Sequence, residues 1–166
     1  MSVNNLEELF LHELKDVLDA EKQILKALPK MAKAADSEEL CNAFEDHKSV
    51  TEKQVERLET IFESLGKAAR GKHCHGMEGL LKEGDEMIKE EEPGPTLDAA
   101  MIAAAQKVEH YEISAYGTLV AWAKLLEMGD AVDLLSETLA EESETDETLT
   151  VIASQINLVA EEEPAE

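Results

Sequence analysis

The chain has 166 residues, 43% hydrophobic and 32% charged, a length that supports one buried core and falls short of two ordinary ones. A net charge of −23 at pH 7, with few and scattered lysines, excludes binding to phosphate backbones and disfavours anionic membrane surfaces. Low aromatic content (4%) and abundant Ala, Leu, Glu and Lys favour helices, so the predicted class is all-α.

The first predicted helix begins at Asn5, a capping residue with Glu8 three positions on, and continues to about Ala35. Its inward row reads Phe10, Leu14, Val17, Glu21, Ile24 and Leu28, so a carboxylate falls in an apolar stripe. Pro29 removes one backbone hydrogen bond and predicts a kink, at ~3 kcal/mol if packing does not compensate.

A capping box at Asp36 to Glu39 opens the second helix, which runs to Leu65. His47, Thr51 and Gln54 interrupt its otherwise apolar row of Leu40, Phe44, Leu58 and Ile61. The turn between these helices is short enough to make them antiparallel neighbours. From Gly66 to Pro95 a polar, Gly-bearing segment and a short amphipathic helix form a crossover, which lets the next helix start at the same end as the second.

Thr96 caps the third long helix, predicted to reach about Glu127, with Gly129 as its stop and Asp130 starting the fourth. Its inward row is Ile102, Ala105, Glu109, Glu112, Tyr116, Leu119 and Ala123. The fourth helix places Glu142 among Leu135, Thr138, Thr145, Leu149 and Ile152. Residues 1–157 form a single domain on this reading, and the acidic tail 158–166 is predicted to be disordered.

The two halves echo each other: Glu21 aligns with Glu112 and Thr51 with Glu142, at the same spacing within each half. Equal distances from the two turns place Glu21, His47, Glu109, Glu112 and Glu142 in one middle layer. A buried ionised carboxylate costs several kcal/mol unless it is paired, protonated or bound to a cation. Carboxylate and imidazole together suit iron, manganese or zinc, so the layer reads as a site for one or two such ions. The alternative is a metal-free network in which these groups pair with Thr51, Gln54 and one another.

The remaining polar features read more simply. His110 and Asp146 are weaker candidate ligands, and the His73-Cys74-His75 run lacks a second zinc-binding element and reads as a solvated loop. Cys41 has no general base paired with it, and two cysteines are too few for a disulfide scaffold. The start MSVNNLEELF shows no signal-peptide pattern, and no apolar run approaches the roughly eighteen residues of a membrane span. Together these predict a reduced, cytoplasmic chain.

The segments DAEKQILKALPKMA, MEGLLKEGDEMI, AAMIAAAQKVEHYEISAYGTL and LAEESETDETL closely resemble the YciF-like proteins, a ferritin-like group linked to bacterial stress responses. The resemblance spans about Leu6 to Ala153, and AAQKVEHYEI is its most specific part. It implies a ferritin-like, rubrerythrin-like four-helix bundle of two antiparallel hairpins with a long crossover, assembled as a homodimer. Ferritin-like di-iron proteins place Glu on the first and third helices and Glu-x-x-His on the second and fourth. Glu21, Glu112 and Glu142 match three such positions, and Glu109 with Glu112 resembles the Glu-x-x-Glu of rubrerythrins. The second helix departs, offering Thr51 and Gln54, and the fourth offers Thr145 where His is expected. His47 and Asp146 are the available substitutes, and ferroxidase activity is not carried over with the fold.

Overall fold

Asn5 starts the first helix as its side chain implies, accepting the Glu8 amide at 2.8 Å. Glu8 reaches back one residue further than a capping box requires, to the Asn4 amide. Helix α1 (Leu6–Ala34) then runs through Pro29 without interruption. In this computed structural model, which describes residues 3–162, four more helices follow: α2 (Glu38–Ser64), α3 (His75–Glu90), α4 (Pro95–Leu125) and α5 (Gly129–Glu162). Among the described residues there is no strand, and no helix is long and apolar enough to cross a membrane.

The cap of α2 falls at Ser37, one residue later than Asp36, with Ser37 Oγ accepting the Leu40 amide at 3.3 Å. The reason lies in another helix. Buried Asp98, in the first turn of α4, accepts the Asp36 amide at 3.0 Å and the Ser37 amide at 2.8 Å. One carboxylate thereby ties the start of α4 to the α1–α2 turn, the position expected for a helix that starts where the second one starts.

Helix α4 begins at Pro95 with Gly94 at the cap position, ahead of the expected Thr96 cap, because a proline at the first helical position gives up only an amide that has no helical partner. Its end also differs from prediction. Glu127, not Gly129, adopts the left-handed conformation (φ 58°), with Met128 N donating to Ala123 O at 3.0 Å and Glu127 N to Lys124 O at 3.2 Å. Gly129 is instead the first residue of α5. Helix α2 ends in the same motif, with Gly66 (φ 62°) in the left-handed position and Lys67 N donating to Phe62 O at 2.9 Å. Helix α5 continues to Glu162, beyond the predicted boundary at 157, since residues 158–162 include neither Gly nor Pro; the rest of the tail lies outside the described residues.

Packing follows the apolar rows. Helices α1 and α2 pack together, as do α4 and α5; α2 also meets α5, α1 meets α4, and α3 lies against α1 and α4. Two apolar clusters result. One joins Ile24 and Leu28 to Leu40, Phe44, Met101, Ile102, Leu149 and Ile152. The other joins Phe10 and Leu14 to Leu58, Phe62, Tyr116, Leu119 and Leu135. The second cluster takes the start of α1, the ends of α2 and α4 and the start of α5, so α1 and α5 run opposite to α2 and α4. Between the clusters lies a polar layer of Glu21, His47, Thr51, Gln54, Glu109, Glu112, Thr138 and Glu142, all buried.

Candidate metal centre

Four long helices each send an inward-row side chain into this layer. Ligand atoms of His47 on α2, Glu109 and Glu112 on α4 and Glu142 on α5 all lie within 4.8 Å of one another. None of the four residues is more than 6% exposed. Glu21 stands just outside this foursome, in hydrogen-bonding reach of Glu112, with one oxygen accepting from the Tyr116 hydroxyl. All five residues predicted from the sequence are therefore in one layer, four in direct mutual reach and Glu21 beside them.

The contacts around His47 favour one tautomer. Thr145 Oγ1 gives its proton to the Glu141 carbonyl at 3.0 Å, so at 3.4 Å from His47 Nδ1 it acts as acceptor and Nδ1 carries the hydrogen. Nε2 is then unprotonated, with its lone pair toward the cluster, 3.4 Å from Glu109 Oε1. Burial pushes the imidazole pKa down to about 4, which keeps it neutral at pH 7. A neutral ring anchored through Nδ1–H with a free Nε2 is the form in which histidine binds a metal.

The carboxyls are pushed the other way. Burial, followed by the charge of Glu142, raises Glu21 to about 8, and burial with the charges of Glu21 and Asp146 raises Glu109 to about 8. Glu112 and Glu142 also rise well above the carboxylate range, first by burial and then through neighbouring glutamates. Glu21 Oε2, His47 Nε2, Glu109 Oε2, both oxygens of Glu112 and Glu142 Oε2 have no donor facing them apart from a protonated neighbour. Orphaned buried acceptors on this scale are rare in folded proteins. One cation among His47, Glu109, Glu112 and Glu142, with a second beside Glu21, would satisfy them, and oxygen donors with one imidazole fit iron, manganese or zinc.

The edge of the layer is held by Gln54, which the inward row of α2 contains, and by Arg57 and Glu141, which the inward rows did not single out. Gln54 Nε2 donates to Glu142 and, at 3.1 Å, to Glu141. Arg57 grips Glu141 with two nitrogens at 2.6 and 2.8 Å and reaches Glu137 at 2.6 Å, pinning α2 to α5. Burial opposes ionisation of Glu141, but Arg57 and Gln54 outweigh it and hold the carboxyl below its usual range. Tyr116 was legible as a position, one turn beyond Glu112, but the partner of its hydroxyl was not. Thr51 is committed to the His47 carbonyl at 2.9 Å and offers the cluster no proton.

The weaker candidates lie elsewhere. His110 and Asp146 approach each other at 3.4 Å, with His110 exposed and Asp146 also taken up by Gln106. The HCH run divides: His73 and His75 are exposed and gather around Glu78, whereas Cys74 is buried and caps α3 through a 3.4 Å contact from the Met77 amide. Cys41 is half-buried, and both cysteines are free.

Residues 5–161 match the family described as Domain of unknown function (DUF892). The chain belongs to this family. It is 46% identical to Protein YciF of Escherichia coli (strain K12) over 164 residues, covering 97% of this chain and 98% of that protein. The crystal structure of YciF, described as an E. coli stress protein, superposes with a TM-score of 0.90 at 44% identity, covering 93% of this chain and 98% of that one. YcfI from Rhodopseudomonas palustris, described provisionally as a structural protein, superposes at 0.87 with 44% identity, covering 90% and 95%. The family's description carries no reaction, so the chemistry rests on the buried layer itself.

Proposed function

We propose that the chain is a ferritin-like four-helix bundle, with α3 carried on the crossover, whose buried layer holds one or two transition-metal ions. Iron is the leading metal, with manganese or zinc as alternatives. His47, Glu109, Glu112 and Glu142 would hold the first ion, and Glu21 with Glu112 would offer oxygens to a second. The observation that carries this reading is the set of buried acceptors without donors, gathered around the free Nε2 of His47. Four ionised carboxylates match the charge of two divalent ions, so binding would replace protons that the metal-free layer must otherwise retain.

An iron ion supplies redox chemistry with dioxygen or peroxide, which fits a role in stress such as the one attached to the description of E. coli YciF. The chain's own residues then position the site: Thr145 orients His47, Tyr116 orients Glu21, and Gln54 with Arg57 fixes the α5 carboxylates. The resemblance further supports a homodimer. Protein purified without chelator is expected to carry at least one equivalent of iron, manganese or zinc by elemental analysis. Failure to retain any of these after reconstitution would refute the metal reading.

A second reading is a metal-free structural protein. It draws on Gln54 and Thr51, where a conventional di-iron site would have Glu and His, and on the description of YcfI. Under it, the layer serves specificity of folding, and metal uptake would be absent in every reconstitution.

A further inference from the structure

A cavity of about 320 Å³ reaches the buried cluster from the surface. His47 and Glu109 form part of its wall, and the remainder is mostly apolar, with Ile24, Leu28, Phe44, Ala105, Val108 and Leu149 among the lining residues. Its outer part lies between α2 and α5, where Asp46, Glu144 and Thr148 are exposed.

The volume and the lining decide what fits. A cavity of roughly 150 Å³ lined by apolar side chains admits benzene. One of about 320 Å³ is large enough for a two-ring molecule or a short branched chain. Dioxygen or peroxide, close in size to a water at roughly 30 Å³, needs no such space. Asp46, Glu109, Glu141 and Glu144 line the cavity, while among the described residues no lysine or arginine does, so in the metal-free protein the lining itself disfavours an anion. Its oxygen-bearing side chains are carboxyls and the hydroxyls of Thr145 and Thr148, which suit a donor on the ligand.

We infer that this cavity is a substrate pocket for an uncharged, mainly apolar organic molecule carrying a hydroxyl or amine donor, delivered against the His47–Glu109 side of the metal layer. The inference rests on the metal reading for its link to chemistry, but binding itself can be measured separately.

The probe is naphthol, with naphthoate as the anionic counterpart of the same ring. Calorimetry on the full chain, metal-free and loaded with Co(II), is expected to show one equivalent of naphthol binding with Kd of about 10–100 µM. To the metal-free chain naphthoate should bind at least about tenfold weaker. Naphthol should also shift the visible absorption of bound Co(II). Ala43→Phe fills the cavity from the α2 wall and should weaken naphthol binding at least about tenfold while keeping the metal stoichiometry. Ala27→Phe does the same from the α1 wall, and serves if the first variant fails to fold by circular dichroism.

The inference is overturned if naphthol does not bind, if naphthoate binds the metal-free chain as tightly, or if filling the cavity leaves binding unchanged. Binding that leaves the Co(II) spectrum untouched would overturn the link to the metal layer. Failure to take up Co(II) together with normal naphthol binding would refute the metal reading while leaving the cavity as a binding site.

Discussion

Glu112 sits at the centre of the layer with neither oxygen facing a donor other than a protonated carboxyl. Its environment is costly without a cation and favourable with one, which makes it the residue where stability and function oppose each other. Glu112→Gln is expected to abolish metal retention and to stabilise the metal-free protein by ~1 kcal/mol at pH 8, read from the urea midpoint at unchanged slope. Loss of stability in that variant would mean that Glu112 is already satisfied within the protein. The five clustered residues were legible because each interrupts an apolar row at helical spacing, and a charged residue in such a row demands a partner. Their partners were less legible. Arg57 binding Glu141, and the Tyr116 hydroxyl on Glu21, depend on rotation of helices about their axes, which periodicity leaves open by a fraction of a turn.

At the scale of elements, helix existence and order followed from patterning, as did the Asn5 cap of α1 and the end of α2, whereas other ends did not. The start of α2 was misplaced by one residue because Asp98, distant in sequence, holds the Asp36 and Ser37 amides just ahead of the helix and leaves Ser37 to cap it. The end of α4 was misplaced because a glutamate occupies a position where glycine is the usual choice. A left-handed residue with a Cβ costs roughly 1–2 kcal/mol, of which glycine recovers part. Glu127→Gly is therefore expected to raise stability by about 0.5–1 kcal/mol in chemical denaturation, without altering metal content. Gly66 already takes that role at the end of α2, so Gly66→Glu should be destabilising in the same assay.

For the whole molecule, two apolar clusters sandwich one titratable layer, and the balance between them depends on pH. In the unfolded chain these carboxyls ionise near 4.5; in the folded, metal-free protein Glu21 and Glu109 hold protons up to about 8. A raised folded pKa gives stability that is present below 4.5 and is lost as pH rises through 8. A bound metal replaces those protons and removes the loss. The stability difference between metal-loaded and metal-free protein is expected to widen from pH 5 to pH 8 and then level off, as measured by paired urea titrations. A difference independent of pH would show that the layer does not exchange protons for metal.

The most direct measurement is anomalous scattering from crystals grown without chelator, collected on either side of the iron, manganese and zinc absorption edges. The account predicts a peak within ligand distance of His47 Nε2 and Glu112, with an optional second peak toward Glu21. Clean density with no anomalous signal in the layer, from protein reconstituted with each metal, would contradict it.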